Sequence, residues 1–145
     1  MLEFEIRRAI ATDAVGIAAL SGELGYPITK MEAGDRLELV NRSTEHEVQV
    51  AVLPDGSLVG WIHVFVSLRL EAAPFAELGG FIVAANYRAQ GIGKRLLISA
   101  QNWAVQKGLD KLRIRSRSTR IDAHRFYKKF GFSHSKTQHV FDMPL

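Results

Sequence analysis

Two glycines separated by one residue, Gly91-Ile92-Gly93, open an apolar helical pattern, with Arg88 just before them and Lys94 just after. The first turn of a helix leaves backbone N–H groups unpaired and carries the positive end of the helix dipole, so such a junction suits an anion such as pyrophosphate. The glycines remove side chains that would block close approach, and Arg88 and Lys94 add charge. Two familiar phosphate loops do not fit. A Walker A loop needs Gly where Arg88 stands and Ser or Thr where Arg95 stands. A dinucleotide fingerprint needs Gly in place of Leu96 and an acid after the next strand, whereas Asp110 precedes that strand. Other chemistries lack their residues. There is no Cys for a thiol nucleophile or a thiolate zinc site and no G-x-S-x-G for a serine hydrolase, and the five histidines, His46, His63, His124, His134 and His139, show no metal-ligand spacing.

The elements that must position this junction follow from periodicity. Phe4 to Ile10 alternates as a first strand, Thr12 is placed to cap a helix running to about Leu24, and Gly25-Tyr26-Pro27 breaks it. Thr29 with Glu32 forms a capping-box pattern for a second helix through Leu37 and Val40. Val48–Val52 and Leu58–Val66 flank Pro54-Asp55-Gly56 as a hairpin. A fourth strand covers roughly Ala76 to Ala84. Its internal Gly79-Gly80 marks a bulge or a close approach of another backbone or a ligand. Ile92 to Gly108 is a long amphipathic helix, and Lys111 to Arg115 alternates as a strand. Ala123, Phe126, Tyr127 and Phe130 share a helix face up to Gly131, and Phe132 to Met143 supplies the last one or two strands. The order describes an α/β or α+β sheet with helices on both faces.

The 145 residues, 47% hydrophobic and 23% charged, fit one globular domain, residues 1–145, without repeats or linkers. The N-terminus lacks the apolar block of a signal peptide, and Leu58–Leu68 is far short of a membrane span of roughly 20 residues. With no Cys, the expectation is a soluble cytoplasmic protein with no membrane partner. Net charge is +4, and the excess concentrates in Lys111, Arg113, Arg115, Arg117, Arg120, Arg125, Lys128 and Lys129, with Asp122 the only acid among them. Such a field attracts nucleic acid, membrane phosphates or a phosphorylated cofactor, or is a solvated face.

Arg88-Ala89-Gln90-Gly91-Ile92-Gly93 resembles the Arg/Gln-x-x-Gly-x-Gly/Ala signature of the GNAT superfamily of N-acetyltransferases, as do the flanking Gly80–Val83 and Lys94–Leu97. Ala123-His124-Arg125-Phe126-Tyr127-Lys128-Lys129-Phe130-Gly131-Phe132 is similar to the family's A-x-x-F-Y-x-x-x-G-F motif. The resemblance spans nearly the whole chain. It implies a mixed, mostly antiparallel sheet whose fourth and fifth strands splay apart, with the pantetheine arm of acetyl-CoA, the co-substrate, lying in the gap. Phe81, Ile82 and Val83 would line that arm, and Arg88, Ala89, Gln90, Gly91, Ile92, Gly93 and Lys94 would hold the pyrophosphate. The amine attacks the thioester directly, with no metal, and a backbone N–H near Val83 stabilises the oxyanion. Tyr127 matches the family's general acid; a phenol of pKa about 10 can protonate a departing thiolate if it lies within reach. Glu77, four residues before Phe81, stands where some members carry a glutamate base, and a water is the other option. Arg120 replaces an Asn frequent in the family and could still reach cofactor phosphates.

The activity implied is acetyl transfer to a primary amine, on a small molecule or a peptide. Segments near Leu24–Pro27 and Leu70–Pro74 would face the acceptor without identifying it. An acyl-CoA sensor without turnover and a basic nucleic-acid-binding module are the alternatives. The last ranks lower because no aromatic stacking pattern accompanies the charges. Monomer and homodimer are both open.

Overall fold

Thr29 and Glu32 cap each other as their spacing predicts. The Glu32 N–H donates to the Thr29 hydroxyl at 3.0 Å, and the Thr29 N–H donates to the Glu32 carboxylate at 2.9 Å. They open α2 (Lys30–Arg42). The helix before it, α1 (Ala14–Glu23), starts differently from expectation: a 3-10 turn over Ala11–Asp13 comes first, and Asp13, not Thr12, stands at the cap position of α1, its side chain making no bond to that helix. The Asp13 carboxylate accepts from the Ile10 N–H at 2.8 Å and from Arg7 at 2.7 and 3.0 Å. These bonds close the 3-10 turn back onto Ile10 and β1, so the start of the α-helix falls after Thr12.

The computed structural model describes residues 1–145. Its backbone divides into two units, Met1–Ile114 and Arg115–Leu145. The first holds a five-stranded sheet of β1 (Glu5–Arg8), β2 (His46–Val52), β3 (Leu58–Arg69), β4 (Ala72–Val83) and β5 (Leu112–Arg113), in that spatial order. All neighbours are antiparallel except β4 and β5. The hairpin between β2 and β3 turns on Gly56 at φ 90°, where the Gly56 N–H donates to the Leu53 carbonyl at 2.9 Å.

The sheet's alternation decides its two faces. Val48, Val50, Val52 and Trp61 point to one face and pack with Ile17 and Ala18 of α1 and Ala33 and Leu37 of α2. On the opposite face lies α3 (Ile92–Gln106), which buries Ile92, Leu96, Leu97, Ala100 and Ala104. A Cβ on Gly60 would come within 3.0 Å of Leu96 and 3.2 Å of Ile92, so glycine there lets α3 sit close.

In the second unit α4 (Ile121–Phe130) ends at Gly131, φ 134°, and the Phe132 N–H returns to the Tyr127 carbonyl at 2.9 Å. The strands expected over Phe132–Met143 are not formed, and residues 133–145 are exposed. His134–His139 is polar throughout, so neither face of a strand there would have apolar surface to bury. No helix is long and apolar enough to cross a membrane.

Candidate active site

β4 passes through a 3-10 turn over Ala85–Tyr87 into α3. Gly91 caps α3 at φ 86°, and two residues earlier Ala89 holds φ 61°, the only non-glycine residue in the left-handed region. An alanine there costs about 1–2 kcal/mol, and strain of this kind concentrates at functional loops. The first helical bond runs from the Arg95 N–H to the Gly91 carbonyl at 3.1 Å, so the N–H groups of Ile92, Gly93 and Lys94 stand outside the helical ladder. Arg88, Ala89, Gln90, Gly91 and Lys94 are exposed. Nothing lies within 4 Å of where a Cβ on Gly91 would sit. Arg95 turns away, its guanidinium lying over the Phe4 ring at 4.5 Å and donating to the Phe4 carbonyl at 3.3 Å. This leaves Arg88 and Lys94 as the charges beside an open row of backbone donors.

β5 pairs with β4 only at Ala76 and Glu77. From Leu78 onward β4, including Phe81, Ile82 and Val83, has no strand neighbour on that side. This is the splay between strands four and five. The bulge expected at Gly79-Gly80 is present: His63 pairs with Gly80 while Val64 pairs with Leu78, so Gly79 is the extra residue. Both glycines are required by rings on β3. A Cβ on Gly79 would lie 2.5 Å from His63 Nδ1, and one on Gly80 2.6 Å from the Trp61 ring.

Register places His46, Phe65, Glu77 and Arg113 side by side across β2, β3, β4 and β5, on the face shared with α1 and α2. Glu77 is buried, 8% exposed, and Arg69 Nη2 approaches its carboxylate at 3.5 Å. Beside it, three cations surround the buried Phe75 ring, with Lys111 at 4.4 Å, Arg113 at 4.6 Å and Arg69 at 5.4 Å from its centroid. Contacts of this kind are worth about 0.5–1 kcal/mol each at exposed sites and here hold like charges together. The alternation of Lys111 and Arg113 was visible in the sequence. The convergence of Arg69 and Phe75 on them was not, because it depends on the long-range pairing of β3, β4 and β5.

Sequence spacing also hid a histidine pair. His46 Nδ1 and His63 Nε2 are 2.9 Å apart, with the rings stacked at 5.2 Å and Phe65 stacked on His46 at 5.4 Å. Burial, and then the nearby His46, lower the His63 pKa to about 4. It is therefore neutral at physiological pH.

Tyr127 and Arg120 belong to the second unit. Tyr127 is buried on α4, with edge contacts to Phe126 and Phe132, each at 5.8 Å. Arg120 is the exposed N-terminal cap residue of the same helix.

The sequence model of the Acetyltransferase (GNAT) family matches residues 19–132. An aminoalkylphosphonate N-acetyltransferase of Salmonella typhimurium is 29% identical over 135 residues, 90% of this chain and 86% of that protein. Among solved structures, AAC(6')-Iy in complex with a CoA-containing bisubstrate analogue superposes with a TM-score of 0.86 at 16% identity, covering 99% of both chains. Glucosamine-6-phosphate N-acetyltransferase of Arabidopsis thaliana superposes with a TM-score of 0.84 at 19% identity, covering 98% of this chain and 99% of that one. Identities this low establish a shared fold.

Proposed function

The chain belongs to the GNAT family of N-acetyltransferases and is an acyltransferase, and on that premise we propose that it moves the acetyl group of acetyl-CoA to a small primary amine. The observation that carries this reading is the junction of β4 with α3. Three backbone N–H groups outside the helical ladder, the left-handed Ala89 and Gly91, and the exposed Arg88 and Lys94 form a cradle for a pyrophosphate. It lies at one end of the stretch of β4 that has no strand neighbour. Phe81, Ile82 and Val83 offer that stretch to the pantetheine arm, as an added strand would be held. Arg120 adds a charge for the cofactor's phosphates.

In the proposed reaction the amine nitrogen forms a bond to the thioester carbon, and the carbon–sulfur bond breaks. A backbone N–H on the Gly80–Val83 stretch of β4 donates to the oxyanion. Tyr127 gives its proton to the departing sulfur, and the ammonium proton leaves through Glu77 or a water. We take residues 1–145 as one catalytic domain, a reading supported by the family match running across the boundary at Ile114. We place the protein in the cytoplasm, which its cysteine-free composition supports. The relatives' acceptors differ in charge. An aminoalkylphosphonate and a glucosamine phosphate each pair an amine with an anion, whereas an aminoglycoside is a polycation.

Gly91→Asp tests the cradle. Asp tolerates the left-handed conformation better than most residues, so the variant should fold, yet it sets an anion and bulk against the phosphates. Calorimetry with the full chain should give 1:1 acetyl-CoA binding for the natural sequence and none for the variant. A folded variant with unchanged affinity would rule the junction out.

A further inference from the structure

Lys111, Arg113 and Arg69 are three cations on one ring, and the reaction as proposed gives them no task. Arg69 is ion-paired with Glu77, whereas Lys111 and Arg113 have no carboxylate within salt-bridge range. Cofactor phosphates do not account for them. They sit beside Phe75 and Glu77, six or more residues before the end of β4 at Val83, which at about 3.3 Å per residue is roughly 20 Å from where the phosphate cradle begins. They lie where the gap between β4 and β5 closes, on the face shared with α1 and α2. A thioester arm entering the gap from the cradle would point its acetyl end towards them.

We infer that Lys111 and Arg113, backed by Arg69, form an anion subsite for the acceptor, and that the acceptor is a small primary amine bearing a phosphonate or phosphate group. The inference rests on the acetyltransferase reading and deepens it. Two cations without carboxylate partners beside a buried ring make a fixed, positively charged floor, which attracts a phosphoryl dianion and repels a polycation. The same row supplies the other end of such a molecule. Glu77 lies between the cations and the His46–His63 pair, so a short alkyl spacer lets the anion meet Lys111 and Arg113 while the amine turns towards the carboxylate.

The test measures initial rates of thiol release from saturating acetyl-CoA with 2-aminoethylphosphonate, O-phosphoethanolamine, β-alanine, propylamine and an aminoglycoside. The first two should exceed propylamine and the aminoglycoside by at least about 100-fold in kcat/KM, with β-alanine between. Phosphonate against phosphate identifies the natural head group. Lys111→Met and Arg113→Met should each raise KM for the better phosphoryl amine about 10- to 100-fold, with acetyl-CoA affinity by calorimetry unaffected. On the natural chain methylphosphonate should compete with the amine and not with acetyl-CoA, a readout that needs no variant. Equal rates with propylamine, preference for the aminoglycoside, no turnover of any of the five amines, or no competition by methylphosphonate would each overturn the subsite. Failure of acetyl-CoA to bind would instead overturn the acetyltransferase reading.

Discussion

Asp13, His63 and Tyr127 have their chemistry set by what surrounds them. Burial pushes the Asp13 carboxyl up, but hydrogen bonds from Arg7 and the Ile10 N–H outweigh it and hold it below the ordinary value. The stability this contributes is present above pH 4 and lost as pH falls through the lowered value. His63 behaves alike in sign over a different window. Its folded pKa of about 4 lies below the ordinary 6.5, so between those values the unfolded chain binds a proton that the native state refuses. Stability should fall by up to about 1.4 kcal/mol per pH unit as pH drops from 6.5 towards 4. Urea midpoints at pH 7 and pH 5 should differ more for the natural chain than for His63→Gln; equal differences would show that the fold does not hold His63 neutral. Tyr127→Phe keeps the ring and its edge contacts but removes the hydroxyl proposed as the proton donor. Turnover should fall about 10²–10⁴-fold while calorimetric acetyl-CoA affinity changes little. A loss of affinity at unchanged turnover would recast Tyr127 as a binding residue.

At the level of elements, β4 is shaped by its neighbours on both sides. Gly79 is the bulge residue because a side chain there would strike His63. Gly79→Ala should destabilise the chain by about 1–3 kcal/mol in thermal or urea unfolding, and much of the loss should disappear in a His63→Ala background. Additive effects would mean that the bulge has another cause. The elements legible in the sequence were those made by near neighbours: the Thr29–Glu32 box, the turn at Gly56 and the Gly91 start of α3 each depend on a few consecutive residues. Gly79-Gly80 could be read as a bulge, but not as space for His63 and Trp61, since those rings arrive from another strand. Thr12 is not the cap because the Asp13 carboxylate, held by Arg7 on β1, closes a 3-10 turn that carries the start of α1 past it. The expected final strands failed for a related reason, because His134–His139 has no apolar alternation to hold it against a sheet edge.

Across the whole molecule, the basic excess resolves into groups with different surroundings. Arg88 and Lys94 flank the open row of backbone donors at the start of α3, Arg95 is occupied by Phe4, and Lys111 and Arg113 stand on Phe75 at the far end of β4. The linear sequence made the second half look like one basic field, and only the strand register separates Lys111 and Arg113 from the charges beside the glycine junction. The family and its glycine junction were readable from the motifs. The cation cluster on Phe75 was not, because Arg69, Phe75, Glu77 and Arg113 converge from three strands. In the proposed function the chain couples thioester cleavage to acetylation of an amine. Incubating the full chain with acetyl-CoA and the amine panel, and counting released thiol and acetylated amine in the same sample by mass spectrometry, measures that coupling. One thiol should be released per acetylated amine, only when amine is present, and neither product should form with Gly91→Asp. Acetyl-CoA binding without acetylation of any amine would contradict it and make the protein an acyl-CoA sensor.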